Sequence, residues 1–354
     1  MWRDRRILDL LGIEHPIVQA PMAGAQGAAM TVAVSNAGAL GSLPCALLSP
    51  DQLRYELQAI RRQTDKPFNL NFFCHAPPAP DPEREAKWIA KLAPYRAELG
   101  VVEPTVRGDR APFDDAACAL VEEFHPLVVS FHFGLPGMHL LERVKRAGAR
   151  IISSATTAAE ARWLEARGVD AIIAQGVEAG GHRGMFLETA IASQVGTFAL
   201  LPQVVDAVRV PVIAAGGIAN ARGIVAALAL GAAAVQIGTA YLLCTEATIS
   251  PLYRTALKQA EGHDTVLTNV FTGRPARGIV NRAIRELGPI SPDAPAFPNA
   301  ANAMLPLRKK AEAAGSSDFT SLWSGQAPQF AREIPAAEFT GTLAREALAL
   351  LGAP

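Results

Sequence analysis

The chain predicts a (β/α)8 barrel of the TIM type with a smaller unit over its mouth. Short β-rich apolar runs alternate with amphipathic helical stretches through most of the first 245 residues. Many of those stretches end at a glycine just before the next apolar run, as a helix C-cap followed by a strand would. Glycines also follow the last two runs, where barrels of this kind bind their ligands.

Taken in order, the strand candidates are Ile17 to Ala20, Ala39 to Ser42, Phe68 to Phe72 and Val128 to Phe131, then Arg150 to Ser154, Asp170 to Gln175, Pro211 to Ala215 and Ala234 to Gly238. Between them, Asp51 to Gln63, Met138 to Ala147, Thr157 to Arg167 and Asn220 to Leu230 carry a helical period, and Gly148, Gly168 and Gly231 suit C-caps. Strands covered by helices on both faces belong to a parallel sheet, and eight such units close into a barrel. Two stretches break the repeat. Ala76 to Pro82 holds four prolines and leads into a charged helical stretch, Glu83 to Leu99, which reads as an excursion over the barrel mouth. Beyond residue 248 come a helix near Pro251 to Gln259, a strand-like Thr265 to Phe271, a helix at Asn281 to Leu287 and a Pro- and Ala-rich Gly288 to Asn302. Ala336 to Leu351 is helical and is expected to return to the barrel. The division is therefore 1–75, 119–247 and 331–354 for the barrel, 76–118 for the insertion and 248–330 for the smaller, substrate-binding unit.

The bulk properties exclude more than they select. Half of the 354 residues are hydrophobic, enough for a full core, and 33 basic side chains balance 33 acidic ones, so no overall field favours nucleic acid or an anionic membrane. The start of the chain is too polar for a signal sequence, and no apolar run reaches membrane-spanning length. Cys45, Cys74, Cys118 and Cys244 are widely spaced, without a Cys-x-x-Cys pair, which implies reduced thiols in a cytoplasmic protein. No His-Glu-x-x-His or carboxylate cluster suggests a metal.

Chemistry is expected where the sixth strand runs into Gln175-Gly176-Val177-Glu178-Ala179-Gly180-Gly181-His182. His182 lies in a polar loop, and an imidazole there can take a proton from an acidic C–H or hold an anion. His132, after the fourth strand, either shares that site or caps its own loop. Gly216-Gly217 and Gly238-Thr239 either turn the chain or let backbone N–H groups reach a phosphate. Asn71 and Gln175, at strand ends, either meet the polar edge of a ligand or satisfy neighbouring backbone. Cys74 and Cys244 lack a partner base and read as packing residues.

In combination and order, these residues resemble the nitronate monooxygenases, formerly 2-nitropropane dioxygenases, in the group sharing the catalytic-histidine loop. The resemblance rests on Gln19 to Gly24, Asn69-Leu70-Asn71, Ser130 to Pro136, Gln175 with Glu178 to Gly184, Ala215 to Ile218, and Gln236 to Thr239, with Ser321 to Gln326 matching further on. It implies non-covalent FMN contacted by Met22, Asn71, Gln175, Gly180, Gly217, Gln236, Ile237, Gly238 and Thr239. It also implies His182 as catalytic base, with His132 and Gly181 on the substrate side. The implied reaction oxidises alkyl nitronates with O2, through an anionic flavin semiquinone, to an aldehyde or ketone with nitrite and nitrate. Propionate 3-nitronate is the implied physiological substrate, detoxification the implied role, and a homodimer is compatible with the family. Two other readings compete. FMN-dependent NAD(P)H reductases of quinones or enoyl thioesters share the barrel and phosphate loops. A flavin-free isomerase or aldolase barrel is the other, although no lysine stands at a predicted strand end to form a Schiff base.

Overall fold

The computed structural model describes residues 1–105 and 111–352; residues 106–110 of the expected insertion and 353–354 of the expected barrel lie outside them. The strands are β1 (Ile17–Gln19), β2 (Gly41–Pro44), β3 (Phe68–Phe73), β4 (Val128–His132), β5 (Arg150–Ala155), β6 (Ala171–Gln175), β7 (Gly181–His182), β8 (Val212–Ala215), β9 (Ala234–Ile237), β10 (Thr265–Thr268) and β11 (Ala276–Ile279). Eight of them pair in parallel in the order β1-β9-β8-β6-β5-β4-β3-β2, and a parallel bridge from Val18 to Leu40 joins the two ends of the row. This is the expected (β/α)8 barrel. Its strands are buried along nearly their whole length because helices cover their outer faces and side chains fill the inside.

Capping residues start several of the helices. Ser49 and Gln52 form a reciprocal capping box at Pro50–Arg61. Thr157 caps Ala158–Glu165 and Asn220 caps Ala221–Ala229, each by accepting the backbone N–H three residues on. The terminal helix Ala336–Leu350 returns as expected: Phe339, Leu343 and Ala347 enter the barrel's hydrophobic core, and the Tyr241 hydroxyl meets Thr340 Oγ1 at 2.8 Å. Among the described residues no helix is long and apolar enough to cross a membrane.

Buried polar side chains from β1 to β4 form one network inside the barrel. Gln19 and Gln26 pair amide to amide, and Gln26 also donates to the Ser42 carbonyl. Asn69 bridges the hydroxyls of Ser42 (3.0 Å) and Ser130 (2.9 Å), and Asn71 donates to Ser130 Oγ at 2.9 Å. Apart from Asn69 Oδ1, which has no donor among the described residues, these bonds offset the cost of burying the groups, so the network fixes the side chains beneath the cavity.

A second hydrophobic core lies outside the barrel. Trp88 and Leu92, on the helix Pro82–Glu98 of the insertion, pack with Phe271, Ile284, Met304, Leu307 and Phe319. Trp88 Nε1 donates to the Ala300 carbonyl at 3.3 Å, and Arg282 pairs with Glu98 at 2.6 Å. The two excursions seen in sequence thus share one core. The helix Asp115–Phe124 instead places Cys118, Leu120 and Val121 in the barrel core. A small antiparallel sheet, β10-β11-β7, connects this outer unit to the barrel: Ala276 pairs with His182 and Arg277 with Gly181.

Candidate active site

One cavity of about 460 Å3 opens at the C-terminal ends of the barrel strands. Its walls include Met22, Asn71, His132, Gln175, Gly180, Gly181, His182, Gly217, Gln236, Gly238 and Thr239. The structure therefore gathers almost every residue singled out from sequence. Ile237 is the correction: its side chain is fully buried in the barrel core and its carbonyl accepts from Ala20 N at 2.8 Å, so it stands behind the wall. Strand alternation explains this, since Gln236 and Ile237 must point to opposite faces.

His182 is the side chain around which the apolar wall is built. Its Nε2 lies 2.8 Å from the Thr272 hydroxyl, which fixes the ring's orientation. Phe297, Trp323, Phe133 and Phe73 surround the ring at centroid distances of 5.3, 5.4, 6.1 and 6.3 Å. Its own carbonyl accepts from Gln175 Nε2 (3.0 Å) and lies 3.2 Å from His132 Nε2. A carbonyl only accepts, so His132 carries its proton on Nε2, and Nδ1 accepts a hydrogen bond from the Ser154 hydroxyl at 2.6 Å. Burial, with the charges of Arg274 and Arg183, pushes the His132 pKa down to about 3, so this ring is neutral at working pH.

Gln175 lines the cavity and also serves neighbouring backbone, its Nε2 donating to His182 O and its Oε1 accepting from Gly184 N at 2.8 Å. His132 likewise braces the His182 loop and does not cap its own. Gly180 is required for packing, because a Cβ there would fall 2.5 Å from the Gly325 nitrogen. Gly216 and Gly217 adopt φ of +119° and +69°, a turn that L side chains resist, so that loop needs glycine on conformational grounds alone.

Three arginines supply the positive charge behind the loop. Arg183 is fully buried and donates to the carbonyls of Gly176 and Gln175, both at 2.7 Å. Arg277 donates to Val177 O at 2.8 Å, and Arg274 donates to Met185 O while its guanidinium lies 3.9 Å above the Phe133 ring. None is bridged to a carboxylate among the described residues; burial brings the pKa of Arg183 and Arg274 down to about 10, which leaves both charged. Sequence reading passed over Arg274, Arg277, Thr272 and Ser154, since no local pattern marks a residue that acts through a partner 22 to 100 positions away.

Two features fit a phosphate-bearing ring cofactor. The backbone N–H groups of Gly217, Ile218, Gly238 and Thr239 have no acceptor among the described residues, and together they line a cradle for an anion. Gln236 Oε1 is buried without a hydrogen-bond donor, an acceptor left for a ring N–H. No group of His, Cys, Asp or Glu among the described residues is placed to hold a metal ion.

A closed parallel barrel with an enclosed cavity, an anion cradle and a braced histidine at its C-terminal face defines a (β/α)8 enzyme. Residues 4–346 match the sequence model of the nitronate monooxygenase family. The nitronate monooxygenase of Paraburkholderia phytofirmans is 45% identical over 97% of this chain and 94% of its own length. That of Pseudomonas aeruginosa is 43% identical over 96% and 98%. The chain belongs to the nitronate monooxygenase family, and is accordingly an oxidoreductase. Among solved structures, the nitroalkane oxidase from Streptomyces ansochromogenes superposes with a TM-score of 0.90 at 39% identity, covering 98% of this chain and 99% of its own. FabK from Thermotoga maritima superposes at 0.74 with 31% identity, covering 99% and 98%.

Proposed function

We propose that the protein is an FMN-dependent monooxygenase that oxidises alkyl nitronates with O2, propionate 3-nitronate being its physiological substrate, and that it serves nitronate detoxification. The observation that carries the reading is the pairing of an anion cradle at Gly217, Ile218, Gly238 and Thr239 with a ring-edge acceptor at Gln236, opposite an oriented His182. In this reading the cradle holds the FMN phosphate, Met22, Asn71, Gln175 and Gly180 flank the flavin, and the flavin supplies the electron acceptor. His182 removes the α-proton from a neutral nitroalkane and holds an already formed nitronate. The positive charge of Arg183, Arg274 and Arg277 favours both the anionic substrate and negative charge on the reduced ring. Residues 248–330, with the insertion at 76–118, act as the substrate-side roof.

The likeness to FabK supports a second reading, an NAD(P)H-dependent reductase. Anaerobic mixing of the FMN-loaded protein with propionate 3-nitronate, and in parallel with NADH, separates the two. The flavin spectrum should change with nitronate and remain unchanged with NADH. Bleaching by NADH alongside indifference to nitronate would move the protein to the reductases.

A further inference from the structure

A neutral imidazole takes a proton only at the nitrogen that carries its lone pair, so the partner of the other nitrogen decides where His182 can act as a base. That partner is the Thr272 hydroxyl, 2.8 Å from Nε2. Thr272 belongs to the outer unit, not to the barrel. It is buried in the turn between β10 and β11 and meets the ring across 90 positions of sequence.

The turn holds that hydroxyl in place from both sides. Asn269 exchanges two hydrogen bonds with Ser291, donating to its carbonyl at 2.9 Å and accepting from its backbone nitrogen at 2.8 Å, and Gly273 N closes the turn on the Asn269 carbonyl at 2.8 Å. Toward the barrel, Arg183 N donates to the Pro275 carbonyl at 2.8 Å, and Ala276 pairs with His182 across β11 and β7. The backbone and the ring of His182 are therefore both set by this one turn.

The bond between Thr272 and Nε2 can run in two senses. With the hydroxyl donating, the Nε2 lone pair is occupied and the ring proton sits on Nδ1, so neither nitrogen is open to a substrate proton while the bond lasts. With the hydroxyl accepting, Nε2 carries the ring proton and the lone pair lies on Nδ1. The hydroxyl then needs an acceptor for its own proton, and the Arg274 carbonyl stands 3.5 Å from Oγ1. We infer that Thr272 accepts, and so acts as a positioning residue: it holds His182 in the tautomer whose base nitrogen is Nδ1, the atom that takes the α-proton of a neutral nitroalkane. The inference deepens the nitronate reading and rests on the base role of His182 within it. In the step itself the C–H electron pair stays on the substrate as the nitronate, the proton goes to Nδ1, and the new charge on the ring strengthens the Nε2–H bond to Oγ1. Thr272 neither gains nor loses a proton.

The test has a spectroscopic and a kinetic arm, both on FMN-loaded protein. In 15N-histidine-labelled wild type, with the His182 ring assigned by its loss in His182→Asn, Nε2 should appear protonated and Nδ1 unprotonated; the opposite tautomer would overturn the inference, whatever any variant does. In Thr272→Val, kcat/KM on nitroethane should fall about 10- to 100-fold through loss of a hydrogen bond to a charged group, while ethyl nitronate changes by less than about threefold. Thr272→Ser keeps the hydroxyl and should stay within about threefold of wild type on both substrates, with FMN content unchanged in either variant. Equal losses on the two substrates, no loss in Thr272→Val, or a loss in Thr272→Ser as large as in Thr272→Val would each overturn the inference and leave nitronate oxidation intact. A wild type that oxidised ethyl nitronate but not nitroethane would remove the base role, and this inference with it. Turnover of neither would bring down the functional reading as a whole.

Discussion

His132 and Gln175 both direct a nitrogen at one carbonyl, that of His182, and this shared target ties the imidazole to the barrel floor. The His132 pKa is about 3 in the folded protein and near ~6.5 when unfolded, so the unfolded chain binds the extra proton first as pH falls. Its contribution to stability is therefore complete above about pH 6.5 and is lost as pH drops toward 3. Thermal melts at pH 7.5 and 5.0 should show a drop in Tm for the wild type that is smaller in His132→Gln; equal drops would place the acid sensitivity elsewhere. A base role for His182 makes a different demand. His182→Asn should lose about 100-fold or more in kcat/KM on a neutral nitroalkane and within about tenfold on the matching nitronate, because only the former must surrender a proton. Steady-state kinetics on the two forms of one compound decide it, with equal losses pointing to binding alone. At this scale the sequence was informative where a residue acts directly on the cavity, as His182, Gly217 and Gln236 do. It was silent on Ser154, Thr272 and the arginines, whose roles exist only through distant contacts.

The barrel strands were legible because each is a short apolar run that ends close to a polar or glycine-rich turn, and all eight begin within two residues of the expected position. Helices with an amphipathic period and a capping residue were equally readable: Pro50–Arg61, Ala158–Glu165 and Ala221–Ala229 each start just after Ser49, Thr157 or Asn220. Ala28–Asn36 escaped because it is apolar nearly all round, with six of its nine residues buried, and so has no period to detect. Thr197–Ala207 and Ala300–Ala313 were hidden by the internal prolines Pro202 and Pro306, which argue locally for a break that tertiary packing overrides. The two-residue β7 carries no sequence signal at all. It exists because β11 offers an edge, and β11 in turn was missed because it is only four residues long and carries Gly278 within it. Gly180 belongs with these pairings: its missing Cβ lets Ser324 and Gly325 lie against the loop.

Two hydrophobic cores dominate the described residues, one inside and around the barrel and one shared by the insertion and the 265–319 stretch, with a smaller third cluster around Leu242, Ile249, Tyr253, Leu257 and Leu322. Sequence reading separated those two excursions because nothing local links Trp88 to Phe319; their common core follows from both crossing the same barrel mouth. Trp88 is 1% exposed, and Trp88→Ala should cost about 3–5 kcal/mol of local stability through the cavity it leaves. Hydrogen exchange should then quicken at β10, β11 and the helix Ala300–Ala313, with barrel strands β4 to β6 left protected; uniform quickening would mean the two cores unfold as one. β7 is where the two cores meet. By chain position it is part of the barrel's sixth loop, and by hydrogen bonding it is the edge of the outer sheet. A chimaera that grafts the roof of one relative onto the barrel of another would thus inherit a histidine whose backbone was fitted to a different neighbour. The sixth loop and the roof form a single unit of exchange, and substrate range in such chimaeras should travel with the pair, not with either segment by itself.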